Sequence, residues 1–124
     1  MKVKLPVVTR NEIVDGERKF ETSEREFEMD MSLACQMRWE MKFPELAAKE
    51  NFVDYTTRTK KMESKDAAVI LSKMKAMYCF FDTDLSFMQF IKMFDFSKPV
   101  FTNELIKRIN EVFEIVLDGS SEKN

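Results

Sequence analysis

The chain has 124 residues, of which 44% are hydrophobic and 34% are charged. A chain of this length can bury a core without disulfides or metals, and its composition excludes both a disordered protein and a membrane-embedded one. The 22 acidic and 20 basic side chains give a net charge of -2, which argues against nucleic acid as the main partner because phosphate binding requires a basic surplus.

The first 31 residues predict a small β-rich element. Residues 2–8 are typical of a strand, and Asp15-Gly16 is typical of a hairpin turn. Residues 24–31 then alternate with period two, which predicts a strand with one acidic face. The acidic face comprises Glu24, Glu26, Glu28 and Asp30, and the other face comprises Arg25, Phe27, Met29 and Met31. A rival interpretation is a helix opened by a capping box of Ser23 and Glu26.

From residue 32 onward the apolar period becomes helical and predicts about five helices packed as a compact helical domain. Pro44 and Pro99 each begin a helix, and Gly119 ends the last one. The expected fold class is therefore mainly α with a small β-rich N-terminal element (α+β). We expect one domain overall, made of a β-rich segment 1–31, a helical body 32–118 and a polar tail 119–124.

The residues that an active site would need are largely missing. The chain has no histidine and only two glycines, and its cysteines, Cys35 and Cys79, have no partner for a catalytic dyad or a zinc site. The run Asp82-x-Asp84-x-Ser86 resembles the start of a calcium loop, but Phe87 and Met93 occupy the positions where that loop needs Gly and Glu. We therefore expect a protein that is not an enzyme and has no cofactor or metal, with residues 82–86 capping a helix instead.

The chain also carries no sign of export or membrane insertion. Its N-terminus lacks the apolar core of a signal peptide, and its longest apolar run, residues 76–81, is far shorter than the ~20 residues of a membrane span. Two cysteines supply no disulfide framework, which is typical of a reducing compartment. A soluble cytoplasmic protein with no membrane partner is the expectation.

Two helices offer candidate contact residues. In the helix of residues 32–42, Leu33, Met37 and Met41 share one narrow face, and Cys35 and Trp39 lie roughly opposite. Either this helix is buried on two sides, or Trp39 is presented to a partner with Arg38 beside it. In the last helix, Ile115 sits among charged residues and, together with Val100, could edge a contact surface.

Several segments form a recognisable series: Arg38-Trp39-Glu40, then Phe43-Pro44-Glu45-Leu46-Ala47, then Phe52-x-x-Tyr55, and later the Met74-Lys75-Ala76-Met77-Tyr78 helix. This series resembles the tail assembly chaperones of long-tailed (siphovirus-type) bacteriophages and prophages of Gram-positive bacteria. The resemblance covers about residues 27–117. Arg38, Trp39, Glu40, Phe43, Val100 and Ile115 are the candidate partner-binding residues.

The resemblance implies a non-enzymatic chaperone in the host cytoplasm that coats the tape measure protein and keeps it soluble until the tail tube forms around it. Such proteins are commonly also made in a longer form by ribosomal frameshifting, and the longer form is thought to recruit the tail tube protein. Glu122-Lys123-Asn124 is compatible with the codons of a slippery heptamer. We also expect a homo-oligomer. The alternative function is a small acidic adaptor or regulatory protein that mimics nucleic acid or acts as an inhibitor-type binder.

Overall fold

The computed structural model describes residues 1–63 and 66–118, which form a β-hairpin followed by helices. The elements among these residues are β1 (Lys2–Val14), β2 (Glu17–Glu28), α1 (Ala34–Lys42), α2 (Pro44–Ala47), α3 (Phe52–Lys60), α4 (Ala67–Phe80), α5 (Phe87–Ile91) and α6 (Pro99–Asp118). The predicted α+β class is confirmed. The predicted tail, residues 119–124 with the Gly119 cap, lies outside the described residues.

The described part contains six helices rather than about five because the segment after Pro44 is divided. Pro44 begins the four-residue helix α2, and Asn51 then caps a new helix, α3. The Asn51 side chain accepts a hydrogen bond from the Asp54 backbone N–H at 2.8 Å. An Asn in this extended cap position satisfies a backbone donor that the first turn of α3 leaves free, so the chain restarts rather than continues.

The hairpin turns at Asp15-Gly16, as predicted. Asp15 has φ +52° and Gly16 has φ +79°, the left-handed conformations that a two-residue type I′ turn requires. β1 extends to Val14, well beyond the predicted residues 2–8, with an irregularity in register between Val8 and Arg10. The capping-box alternative is wrong, since residues 23 and 26 lie inside β2 and pair with β1.

The inner face of the hairpin packs against the end of α4. Phe27 is stacked on Phe81, with ring centroids 4.9 Å apart, and meets Phe90 edge to face at 5.6 Å. Past β2 the backbone continues to pair, since the Asp30 N–H donates to the Phe80 carbonyl at 2.8 Å. These contacts join the N-terminal element to the helical body, which fits a single domain.

Helix α4 lies at the centre of the fold. Its residues 76–80 are all buried. These residues belong to the longest apolar run of the chain, which has no polar face because no side of it meets water. Helix α6 covers it through Leu105, Ile109 and Phe113, and the Phe113 ring meets Phe80 at 5.6 Å. Arg108 of α6 also donates to the Lys4 carbonyl at 2.7 Å and therefore holds the hairpin. Of the helices that the structure describes, none has the length and apolar character to cross a membrane.

Candidate protein-binding surface

Helix α1 is held in one orientation by polar contacts on its inner side. The Arg38 guanidinium donates to the Cys79 carbonyl at 2.8 Å and to the Asp30 carbonyl at 3.1 Å, and it pairs with the Asp30 carboxylate at 3.2 Å. On the side facing α3, the Gln36 side chain accepts a hydrogen bond from the Phe52 N–H at 3.1 Å. These bonds connect α1 to α3, to α4 and to the end of the hairpin, so α1 cannot roll about its axis without breaking them.

Trp39 is fully buried, which corrects the hypothesis that it is presented to a partner. Its ring packs on Tyr55, Phe43 and Phe52, with centroid distances of 4.4, 5.5 and 5.7 Å. Its indole N–H donates to the Glu50 carbonyl at 3.0 Å. Inside the fold the large apolar area of the indole is buried and its one hydrogen-bond donor is paired, which explains why this side chain faces inward.

The opposite face of α1 is exposed, which corrects the expectation that a buried Leu33–Met37–Met41 face accompanies a buried Trp39. These three residues, which we name the α1 stripe, are 87%, 60% and 73% exposed. Met31 and Val53, which line one groove with Leu33, are 54% and 66% exposed. Five large apolar side chains in water at neighbouring positions exceed the scattered apolar residues of an ordinary surface.

A groove of about 340 Å³ runs beside the α1 stripe, between α1 and α3. Its apolar lining comprises Met31, Leu33, Phe52, Val53, Phe80 and Val116. Thr56 also lines the groove and is 2% exposed, and its hydroxyl has no hydrogen-bond partner among the described residues. The stripe forms a ridge and the groove beside it forms a depression, and an apolar helix of a partner can pack against such a surface.

The remaining sequence-based candidates do not form one site. Glu40 is exposed beside the stripe, whereas Phe43 is half-buried and packs edge to face on Phe87 at 5.1 Å. Val100 is 84% exposed at the start of α6, and Ile115 is 37% exposed near its end. Fifteen residues of helix separate those two side chains by roughly 22 Å, so any contact that includes both must extend along most of α6.

The predicted acidic face of β2 is interrupted by cations. Lys2 and Lys4 of β1 lie directly opposite Glu28 and Glu26, and Glu24 pairs with Arg108 at 2.7 Å. Opposite charges at facing strand positions attract each other and lower the net charge of the face. The continuous negative surface that a nucleic-acid mimic needs is therefore absent from the described hairpin.

The polar residues singled out for chemistry have structural roles. Ser86 caps α5 by a capping box with Gln89, as the capping hypothesis expected. Cys35 and Cys79 are buried free thiols, and burial raises the pKa of Cys79 to about 12. Among the described residues no group of three or more His, Cys, Asp or Glu is arranged to hold a metal ion.

Sequence reasoning missed the α1 stripe because a helix with apolar residues on two faces does not say which face is inside. The signal that could have found it is residue type. Tryptophan has the larger area to bury, whereas methionine is over-used on surfaces that adapt to partners.

Comparisons with protein-family models, with curated proteins and with solved structures find no match.

Proposed function

We propose that this protein is a non-enzymatic tail assembly chaperone that coats apolar segments of a phage tape measure protein and keeps them soluble during tail assembly. The observation that carries the proposal is the exposed α1 stripe on a helix whose other faces are fixed. A chaperone of this kind needs apolar surface that stays available in the folded state. The motif resemblance between residues 27 and 117 supplies the identity of the client.

The chemistry of the stripe suits a helical client. Two of its three side chains are methionines, which are unbranched and polarizable and can fit differing apolar partners. Their spacing of four residues puts them in one row along α1, and such a row can pack into the groove of another helix. The neighbouring groove between α1 and α3 can then receive a side chain of the client.

The proposal includes the tail tube protein as the partner of a longer, frameshifted form, and this part is supported by the resemblance alone. The alternative of an acidic mimic has less support, because two lysines of β1 stand opposite glutamates of β2. A basic partner would meet mixed charge there, and the attraction would be screened within about 10 Å at ordinary ionic strength.

The test is co-expression with the tape measure protein encoded by the same phage or prophage genome. We expect this chain to move the tape measure protein into the soluble fraction and to co-purify with it. Met37→Gln should weaken the complex about tenfold, which corresponds to about 1.4 kcal/mol, because it places a polar amide in the centre of the stripe.

Met88→Gln is the matched control, since Met88 and Met37 are both 60% exposed but Met88 lies on α5. The control should bind the tape measure protein as tightly as the unchanged chain. Equal losses in the two variants, or a tape measure protein that stays insoluble with the unchanged chain, would overturn the proposal.

A further inference from the structure

A second cavity, of about 350 Å³, lies between the end of α3, α4 and the second half of α6. It shares no lining residue with the groove beside the α1 stripe. Its apolar lining comprises Met62, Ile70, Ile106, Ile109 and Phe113. The volume falls at the small end of the range for ligand pockets in proteins, roughly 300–1,000 Å³.

Lys73 brings a positive charge into this cavity. It is only 8% exposed, and among the described residues its ammonium donates one hydrogen bond, to the Asn110 side-chain oxygen at 3.0 Å. An ammonium has three donors, and no ion pair joins Lys73 to a carboxylate in the part of the chain that the structure describes. A buried cation with a single neutral partner is costly, so the position of Lys73 in the wall of this cavity calls for an anionic partner.

The other charged groups of the cavity restrict what that partner can be. Lys60 is half-buried, whereas Glu63 and Glu114 are exposed, so the two carboxylates lie toward the solvent side. Burial lowers the pKa of Lys73, and the negative charge of Glu63 opposes this shift in part. Lys60 and Lys73 balance the two glutamates of the lining, so the cavity has no net positive charge to hold a ligand with several negative charges. A ligand with one can meet the ammonium and leave its remaining surface against the isoleucines.

We infer that this cavity binds a small monocarboxylate with a short apolar chain, its carboxylate paired with the Lys73 ammonium and its chain packed against Ile70, Ile106 and Ile109. The carboxylate and the Lys73 ammonium form a charge-assisted hydrogen bond, which is shorter and stronger than a neutral one. The inference is independent of the proposed chaperone function and of the α1 stripe.

The chain offers a direct test because it has six isoleucines, of which three line the cavity and three do not. Octanoate is titrated into the full chain labelled at the isoleucine methyl groups, and the methyl shifts are followed by NMR. We expect shifts at residues 70, 106 and 109 but none at residues 13, 91 and 115. Octanol, which has the same chain length without the charge, should bind at least tenfold more weakly than octanoate.

Lys73→Met keeps an unbranched side chain and removes the charge, and it should weaken octanoate binding at least tenfold without changing octanol binding. Lys73→Gln serves the same purpose if the first variant fails to fold. Lys107→Met removes one exposed charge from α6 and should bind octanoate normally. Equal affinity for octanoate and octanol, no cavity shifts at millimolar octanoate, or unchanged octanoate binding in the Lys73 variants would each overturn the inference.

Discussion

Two adjacent side chains, Arg38 and Trp39, decide how α1 sits in the molecule. Arg38 donates to two backbone carbonyls and to the Asp30 carboxylate, and Trp39 fills the space between α1, α3 and the Phe43 ring. Because these two residues occupy the inner side, the α1 stripe is left in water. The residues that resemble the chaperone motif most closely therefore act here as packing and anchoring groups.

Trp39→Ala should lower the free energy of unfolding by about 3–5 kcal/mol, the usual loss when a buried aromatic side chain is truncated. The loss arises from the cavity among Tyr55, Phe43 and Phe52 and from the orphaned Glu50 carbonyl. Urea denaturation measures it. Trp39→Phe is the control and should cost less because it keeps most of the packing. A loss below about 1 kcal/mol in the alanine variant would contradict the buried position.

Asp30 should make the stability depend on pH in the acid range. Hydrogen bonds from Ser32 and then from Arg38 lower the pKa of Asp30 below its ordinary value of 3.8. Because the folded pKa is the lower one, the carboxylate stabilises the fold above pH 3.8, and this contribution is lost as the pH falls through the folded pKa.

Asp30→Asn should therefore be less stable than the unchanged chain at neutral pH, with a difference that shrinks as the pH falls below 3.8. Chemical denaturation at several pH values measures this difference. Asp84→Asn, which removes an exposed carboxylate before α5, is the control. A difference that stays constant from pH 7 to pH 2 would show that the charge of Asp30 plays no part.

At the scale of elements, the hairpin and α4 are the parts of the fold that depend most on their own local sequence. Asp15-Gly16 sets the turn, the turn sets the register of β1 against β2, and the register puts Leu5, Val7 and Phe27 on the buried side. A slip of one residue in either strand would turn the apolar side chains of that strand to the outer face, because successive strand side chains point to opposite faces. The pairing is therefore determined by the turn and by the apolar pattern together.

Gly16→Ala should destabilise the fold by about 1 kcal/mol, because the residue has φ +79° and an L-amino acid pays a steric cost in that conformation. An added Cβ would meet nothing within 4 Å, so no packing term contributes. Thermal unfolding measures the effect. Asp15→Gly, which relaxes the other positive φ of the turn, should not destabilise as much. An unchanged melting temperature in Gly16→Ala would contradict the type I′ turn.

At the scale of the whole molecule, the described surface combines a hairpin face of mixed charge with an apolar area around the α1 stripe. Two such areas pressed together would bury on the order of 1,000 Å², the lower limit for a specific interface. An association of this size is weak, so a client helix can compete with it. The stripe therefore suits reversible contacts between copies as well as contacts with a client.

We expect the mass measured by light scattering to rise with concentration in the high micromolar range. Met37→Gln should reduce this rise, because it disrupts the stripe, while the equally exposed Met88→Gln should not. A strictly monomeric mass at every concentration would contradict self-association. Equal behaviour of the two variants would place the contact elsewhere on the surface.

The sequence by itself determined the class of the fold and most of its elements. Period-two alternation and the Asp-Gly pair predicted the hairpin, and the helical apolar period after residue 32 predicted the helices, because these signals are local and repeat along the chain. Residue type also limited the chemistry on offer, since a chain without histidine lacks the commonest general base. These features do not depend on how the elements pack.

Only the tertiary structure decided which face of α1 is inside and where isolated charges lie. Helical periodicity places Trp39 opposite Met37 but is the same whichever of them is buried, and the choice rests on Arg38, Gln36 and Trp39 finding partners on other elements. From the sequence alone, Lys73 is indistinguishable from an exposed lysine on a helix, and only its contact with α6 shows that it is buried. Burial is a property of contacts between distant segments, so no local pattern can supply it.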